Sequence, residues 1–215
     1  MRCAMSSLHP RCLEFVGSKV QELIQQGISV YLTNGRSINN KYSGVFNPQA
    51  KTLKVAMGQP DEHSMYTFLH EYAHYIQFRD KPELWNYLHR EGTDKYVRWL
   101  CREITLSKAE IESAFRNVLA IEHDAEVMAV SMVSSHNLPL DINAMSRRAN
   151  CNLIFYSWTR INRVWGDGYC GVNDDDLELY LPDIIPPLDY FTDMKNTKAV
   201  MKKAGVKFGK HTRYY

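Results

Sequence analysis

The seven residues from Leu69 to Tyr75 read LHEYAHY, and they constrain the fold most because they place the pattern H-E-x-x-H within helical apolar spacing. Residues four apart lie on one face of a helix with about 3.6 residues per turn, so His70 and His74 can direct two imidazole nitrogens to one metal ion. Glu71 lies about 100° round the helix, where its carboxylate could accept a proton from a water on that ion. The pattern therefore predicts a helix that carries a metal site.

A later segment shows a second long helical pattern. Ser107 and Glu110 form a capping box at its start, and it runs to about His136, where Asn137 and Pro139 act as stops. Its stripe of inward positions recurs at intervals of four and three residues and consists of Ile111, Phe115, Val118, Glu122, Ala125, Ala129 and Met132. The segment therefore predicts an amphipathic helix with one carboxylate in its apolar stripe.

That carboxylate belongs to Glu122, with Glu126 one turn further along the same side and Asp124 pointing roughly opposite. An unpaired carboxylate in a core is costly, so Glu122 needs a cation, a hydrogen-bonding partner or a raised pKa. A metal held by His70 and His74 would supply the cation. Two histidines and one carboxylate leave a fourth zinc position for water, as catalytic rather than structural sites do.

The remaining patterns predict a small sheet before the motif helix and helices after it. The predicted helices span residues 11–26, about 61–79, 82–90, 94–104, about 107–136 and 141–165, and the predicted strands span residues 28–32, 42–46 and 52–57. Either Asp61 or Ser64 is expected to cap the motif helix. The predicted fold class is α+β, with a small mixed or antiparallel sheet followed by a mainly helical bundle that carries the metal site.

The composition favours one ordered domain in a reducing compartment. The chain has 215 residues, 45% of them hydrophobic and 12% aromatic, which is enough for one well-filled core. The first ten residues lack a signal-peptide core, no eighteen apolar residues run together, and the five scattered cysteines form no C-x-x-C pair. We therefore expect a cytoplasmic protein with no membrane segment, built as a single domain over residues 1–194.

Positive charge is concentrated in the expected tail over residues 195–215. After Asp193 the chain has seven basic residues and no acidic one, namely Lys195, Lys198, Lys202, Lys203, Lys207, Lys210 and Arg213. Subtracting these seven charges from the net charge of +2 leaves −5 for the preceding residues. Such a tail could contact nucleic acid or another polyanion, or it could be a solvated terminus.

The two helical segments together resemble the zincin metallopeptidases, and among them the gluzincins, in which a glutamate on a later helix follows H-E-x-x-H. Residues 121–129, which read IEHDAEVMA, are similar to the E-x-x-A-[D/N]-x-[F/L]-A segment of the M48 and ImmA/IrrE-like peptidases. The resemblance covers the two helices and, loosely, the sheet before them, approximately residues 42–139. It implies a zincin-like fold and a single zincin-like metallopeptidase domain.

The resemblance also implies a cofactor, a ligand set and a reaction. Zn²⁺ would be held by His70, His74 and Glu122, with Glu126 orienting a ligating histidine. Glu126 stands where the family has Asp or Asn, and its longer side chain leaves open that Glu126 rather than Glu122 reaches the metal. Glu71 would accept a proton from the zinc-bound water that hydrolyses a peptide bond in a protein or peptide substrate.

Further expectations concern the substrate and the alternatives to this function. The strand before the metal helix, residues 52–57, is expected to be a sheet edge that holds extended substrate. Tyr156, Tyr169, His136 and Arg148 are possible second oxyanion donors, and no feature selects among them. The alternatives are a SprT-like, DNA-associated protease anchored by the basic tail, and a non-catalytic interaction module in which zinc is structural or absent.

Overall fold

The fold is mainly helical with one small mixed sheet, as seen in a computed structural model that describes residues 8–39, 42–163 and 174–206. In chain order the elements are α1 (Pro10–Gln25), β1 (Ser29–Thr33), β2 (Gly44–Asn47), β3 (Thr52–Ala56), α2 (Asp61–Asp80), α3 (Pro82–Leu88), a π-helical segment (His89–Asp94), α4 (Lys95–Leu100), α5 (Lys108–Ser135), α6 (Ile142–Asn162), α7 (Asp174–Glu178), α8 (Leu188–Thr192) and α9 (Met194–Lys203). The predicted α+β class, with the sheet before the motif helix, is confirmed at this level.

The chain forms two compact units, and the expectation of one domain over residues 1–194 stays a prediction. Unit 1 comprises Met1–Pro82 and Ala125–Ile142, and unit 2 comprises Glu83–Asp124 and Asn143–Tyr215. The chain passes from unit 2 to unit 1 inside α5, which is one uninterrupted helix.

Unit 1 holds a three-stranded sheet in the order β1-β3-β2. β1 pairs parallel with β3, with Val30 opposite Leu53, and β2 pairs antiparallel with β3, with Phe46 opposite Leu53. The central strand is therefore β3, and the expectation that residues 52–57 form a sheet edge is wrong. Turn residues after Asn47 predict the β2–β3 hairpin, but they carry no information about β1 pairing on the opposite side of β3.

Helix α2 is buried along most of its length, because every residue from Ser64 to Tyr75 has little solvent exposure. Phe68 of this helix meets Phe15 of α1 edge-on, with ring centroids 6.4 Å apart. On the other side, Tyr75 meets Phe46 of β2 edge-on at 6.0 Å. Packing on several sides therefore fixes the helix that carries the motif histidines.

The start of α2 differs from the sequence prediction. The helix begins after Pro60 and has no side-chain cap, so neither Asp61 nor Ser64 caps it. Ser64 instead donates its hydroxyl to the backbone oxygen of Gln59 at 3.2 Å. Asp61 and Glu62 lie in the first turn, where acidic side chains favour the positive end of the helix dipole.

An ionic network joins the outer ends of α1 and α2. Glu22 of α1 accepts hydrogen bonds from Lys19 Nζ at 3.1 Å and from Arg79 Nη1 at 3.2 Å. Partial burial opposes ionisation of Glu22, but the hydrogen bonds from Tyr72 and Lys19 and the two positive charges outweigh it, so the pKa of Glu22 lies below its ordinary value. Burial, together with the same carboxylate, raises the pKa of Tyr72. The network is therefore charged at neutral pH.

The segment from Pro82 to Leu100 continues without a break through α3, the π-helical segment and α4. The predicted interruption at residues 91–93 is wrong, because Gly92 lies inside the π-helical turn. A larger residue would not fit at position 92, because a Cβ there would lie 2.7 Å from the backbone nitrogen of Val118 in α5. Gly92 thus marks a close approach of two helices within unit 2, rather than a helix end.

Helix α5 begins and ends as predicted. Ser107 Oγ accepts from the Glu110 backbone N–H at 3.3 Å, and Glu110 Oε2 accepts from the Ser107 backbone N–H at 2.8 Å, which is the predicted capping box. The helix ends at Ser135, and Asn137 adopts the left-handed conformation with φ 49°. Asparagine tolerates this conformation better than most residues, which is why it acts as a stop.

The last described helix belongs to the hydrophobic core of unit 2. Thr197, Val200 and Met201 of α9 are buried, and so is Val206 after it. The expected basic tail therefore starts with a folded helix, while residues 207–215 lie outside the described residues. Within residues 8–39, 42–163 and 174–206, no helix combines the length and apolar character needed to cross a lipid bilayer.

Candidate metal site

Helix α2 brings the two motif histidines together. The Nε2 atoms of His70 and His74 are 3.1 Å apart, and the rings are nearly perpendicular at 81° with centroids 4.5 Å apart. Both side chains are buried. The spacing of four residues therefore places the two rings on one face, with the same nitrogen of each ring facing the other.

Each histidine has an oxygen acceptor beside its other nitrogen. Nδ1 of His74 lies 2.9 Å from Oε1 of Gln77, and Nδ1 of His70 lies 3.1 Å from Oε1 of Glu126. In the tautomer with its proton on Nδ1, His74 donates to Gln77 Oε1, and its Nε2 lone pair then faces Nε2 of His70. The two Nε2 atoms lie at hydrogen-bond distance, 3.1 Å, which requires a proton on one of them, and a bound cation would take the place of that proton and accept both lone pairs.

A buried tyrosine holds the Glu126 carboxylate. The hydroxyl of Tyr66 donates to Glu126 Oε1 at 2.5 Å, and the Tyr66 ring stacks beside His70 with centroids 6.2 Å apart. Tyr66 is absent from the sequence predictions, although it precedes His70 by the same four residues that separate His70 from His74. That spacing is the signal that could have found it. The Glu126 carboxylate thus lies between the Tyr66 hydroxyl and Nδ1 of the His70 ring.

The third predicted ligand, Glu122, lies on α5 one turn before Glu126. One carboxylate oxygen of Glu122 and one nitrogen each from His70 and His74 all lie within 4.8 Å of one another. Ligand atoms about 2.0–2.2 Å from a tetrahedral zinc ion are roughly 3.3–3.6 Å apart. The two Nε2 atoms, 3.1 Å apart, are slightly closer than this, and the oxygen of the half-buried Glu122 lies within 4.8 Å of one nitrogen of each ring. This group could therefore hold a metal ion.

The structure gives the two glutamates of α5 different positions. Glu122 groups with His70 and His74 as a possible ligand, whereas Glu126 Oε1 lies 3.1 Å from Nδ1 of His70 and the Glu126 side chain is fully buried. The alternative in which Glu126 takes the place of Glu122 at the metal therefore has less support. Asp124, which the helix periodicity directs away from the stripe, is exposed.

Glu71 lies beneath strand β2. Its side chain is 7% exposed, and a Cβ placed on Gly44 of β2 would lie 2.7 Å from Glu71 Cγ and 2.9 Å from Glu71 Oε1. The same Cβ would lie 2.6 Å from the methyl group of Thr67, one turn earlier on α2. Because these distances are far below ordinary contacts, only glycine lets β2 lie this close to the carboxylate. The sequence patterns do not identify Gly44.

Three other histidines in the described part of the chain make structural contacts. His9 accepts a hydrogen bond at the start of α1, and His123 donates from Nε2 to the backbone oxygen of Pro186 at 2.8 Å. His136 packs edge-on against Phe15 with centroids 4.9 Å apart. Among the other possible oxyanion donors, Arg148 forms an ion pair with Glu178 at 2.9 Å, and Tyr169 lies outside the described residues.

The site therefore combines two facing imidazoles, a carboxylate within reach of both, and a buried glutamate between the histidines in sequence. No protein-family model, curated protein or solved structure matches the chain.

Proposed function

We propose that the chain is a zinc-dependent metallopeptidase that hydrolyses peptide bonds. The observation that carries the proposal is the opposition of the His70 and His74 Nε2 atoms at 3.1 Å, with a Glu122 oxygen within 4.8 Å of the pair. Two histidines and one carboxylate are a ligand set of catalytic zinc, because they leave one position open, whereas structural zinc is usually closed by four ligands that include cysteine. In the described residues no cysteine belongs to this group.

Glu71 is the proposed general base. A carboxylate that is shielded from most of the solvent can accept a proton from an attacking water and return it to the leaving amine. Zinc, when bound, supplies Lewis-acid chemistry that acidifies water and polarises a carbonyl oxygen. Gln77 Oε1 lies at hydrogen-bond distance from Nδ1 of His74, and Glu126 Oε1 lies 3.1 Å from Nδ1 of His70, so both rings are restrained on the side away from the Nε2 atoms.

The edge of β2 is the proposed binding place for an extended peptide. Among the described residues β2 pairs with β3 alone, and its Gly44 lies against Glu71. A peptide that adds a strand to this edge gains main-chain hydrogen bonds and brings its backbone close to that carboxylate. β2 therefore replaces residues 52–57 as the substrate strand expected from the sequence.

Glu71→Gln tests the proposal most directly. We expect this variant to lose about 10²–10⁴-fold in hydrolysis, because the base is removed, while zinc content stays at the wild-type level, because Glu71 is not among the three ligands. Hydrolysis is measured with fluorescein-labelled casein and by mass spectrometry of a proteome-derived peptide library, and zinc by elemental analysis. Glu62→Gln, on an exposed position of the same helix, is the matched control and keeps full activity.

Two results would overturn this proposal. One is wild-type hydrolysis by Glu71→Gln, and the other is hydrolysis that survives removal of zinc with 1,10-phenanthroline. A chain that binds one zinc ion through His70, His74 and Glu122 but cleaves neither casein nor any library peptide would instead support the non-catalytic metal-binding module.

A further inference from the structure

The exposed face of α9 carries four lysines on a helix that is firmly held by its other face. Thr197, Val200 and Met201 point into the core of unit 2, and the side chain of Asp193 caps the helix by accepting from the Lys195 backbone N–H at 2.8 Å. The exposed lysines are Lys195, Lys198, Lys202 and Lys203. Spacings of three and four residues place Lys195, Lys198 and Lys202 along one side of the helix, with Lys203 beside them. We call these four residues the α9 lysine face.

The α9 lysine face has no carboxylate partner in the described part of the chain. None of its four ammonium groups lies within ion-pair distance of an acidic side chain there. Seven of the ten other Lys and Arg side chains described in unit 2 do have carboxylate partners, and these are Arg90, Lys95, Arg98, Arg116, Arg147, Arg148 and Arg160. The positive charge of α9 is therefore directed outward and is not neutralised by any described residue of the unit.

The helix dipole favours two of these four lysines and not the other two. Lys202 and Lys203 lie in the last turn, where the negative end of the helix dipole favours cations. Lys195 lies in the first turn, where the dipole disfavours a positive charge, and Lys198 repels both neighbours on the same side. A bound polyanion would remove both penalties.

The chemistry of the face selects one kind of polyanion. Besides the lysines it exposes only Asn196 and Ala199, so it lacks the large apolar side chains with which a helix enters a lipid surface. It contains no arginine, the residue that most often reads guanine edges by two parallel hydrogen bonds. Flexible ammonium groups along a helix suit a row of phosphates, to which they act as point charges.

We propose that the α9 lysine face binds the phosphate backbone of nucleic acid without reading its base sequence. The binding is independent of the proposed hydrolysis, because none of the four lysines belongs to the metal site. Each lysine that neutralises a phosphate releases a counterion, so the affinity falls steeply as salt rises.

The test measures the salt dependence of binding by the full chain. Fluorescence anisotropy with a labelled duplex of mixed sequence gives log K against log salt between about 50 and 200 mM. Neutralising three lysines by Lys195→Gln, Lys198→Gln and Lys202→Gln is expected to make the slope less steep by about 2.7, at about 0.9 per phosphate contact, and to weaken binding to every sequence alike.

The matched control removes the same charge elsewhere. Lys51, Lys81 and Lys108 are also exposed, so changing all three to Gln alters the net charge equally. This control is expected to keep the wild-type slope, and circular dichroism should show both triple variants folded, because every changed side chain is at the surface.

Several results would refute the proposal. Equal slopes for the two triple variants would show that net charge alone drives binding, and a wild-type chain that fails to bind duplex at about 50 mM salt would show that the face has another role. Binding of polyglutamate as tight as binding of the duplex would assign the face to acidic proteins instead.

Discussion

Replacing Gly44 with alanine tests how closely strand β2 and the Glu71 carboxylate depend on each other. The added Cβ would lie 2.6 Å from Thr67 Cγ2, 2.7 Å from Glu71 Cγ and 2.9 Å from Glu71 Oε1. Ordinary carbon contacts are about 3.5–4.0 Å, so each neighbour must move by roughly 1 Å. Overpacking of this kind costs about 1–3 kcal/mol, which lowers the melting temperature of a chain this size by about 2–12 °C.

The displacement of Glu71 should reduce hydrolysis further than the loss of stability alone. A shift of about 1 Å in a catalytic group can cost roughly 10²-fold in rate, so we expect kcat/KM to fall by about that factor at a temperature where the variant is fully folded. Zinc content should remain at the wild-type level, because Gly44 touches the base and not the proposed ligands. The assay therefore combines casein hydrolysis, elemental analysis and a thermal melt.

Two companion variants separate the stability effect from the catalytic one. Adding Thr67→Ser to Gly44→Ala removes the methyl contact but keeps the hydroxyl that donates to the His63 backbone oxygen at 2.9 Å, so it should restore part of the stability and little of the activity. Gly17→Ala is the control, because a Cβ there meets nothing within 4 Å, and it should stabilise α1 by up to about 1 kcal/mol. Wild-type stability and activity in Gly44→Ala would refute the reasoning.

Two further predictions concern the supports of the site. Tyr66→Phe removes the hydroxyl that donates to the buried Glu126 at 2.5 Å, so it should cost about 1–3 kcal/mol in a denaturant melt and lower zinc affinity about 10–100-fold in a chelator competition. Unchanged zinc affinity would show that Glu126 does not need this partner. The pKa of Glu22 is depressed in the folded chain, so its contribution to stability is present above its ordinary value of 4.5 and is lost as the pH falls further. Glu22→Gln should flatten the fall in melting temperature below about pH 5, and an unaltered acid profile would refute this.

The helices and their caps could be predicted because their signals are local. The capping box of Ser107 and Glu110 and the stop at Asn137 depend on residues within one turn, and they set the bounds of α5. The spacing of His70 and His74 likewise determines that their rings share a face, since the geometry of one helix is enough. The position of Glu122 in an apolar stripe could be read in the same way.

Features that depend on distant parts of the chain could not be read from local patterns. β1 pairs parallel with β3, although β2 lies between them in the sequence. No turn residues near either strand predict this pairing. The roles of Gly92 and Gly44 could not be predicted for the same reason, because each glycine makes room for a side chain or backbone that is far away in sequence. Single glycines in a helical or extended pattern have several meanings, and only the packing partner decides among them.

The anchoring of α9 decides where this chain can be shortened. The lysines face outward, but Val200, Met201 and Val206 belong to the same hydrophobic cluster as Phe191 and Trp158. Cutting the chain after Asp193 would therefore remove part of that cluster along with the charge, and any loss of function in such a fragment would report misfolding as much as missing lysines. Helix α9 carries both the exposed lysines and part of the hydrophobic core. Point substitutions of the lysines therefore test the charge alone, whereas a truncation removes the charge and the core residues together.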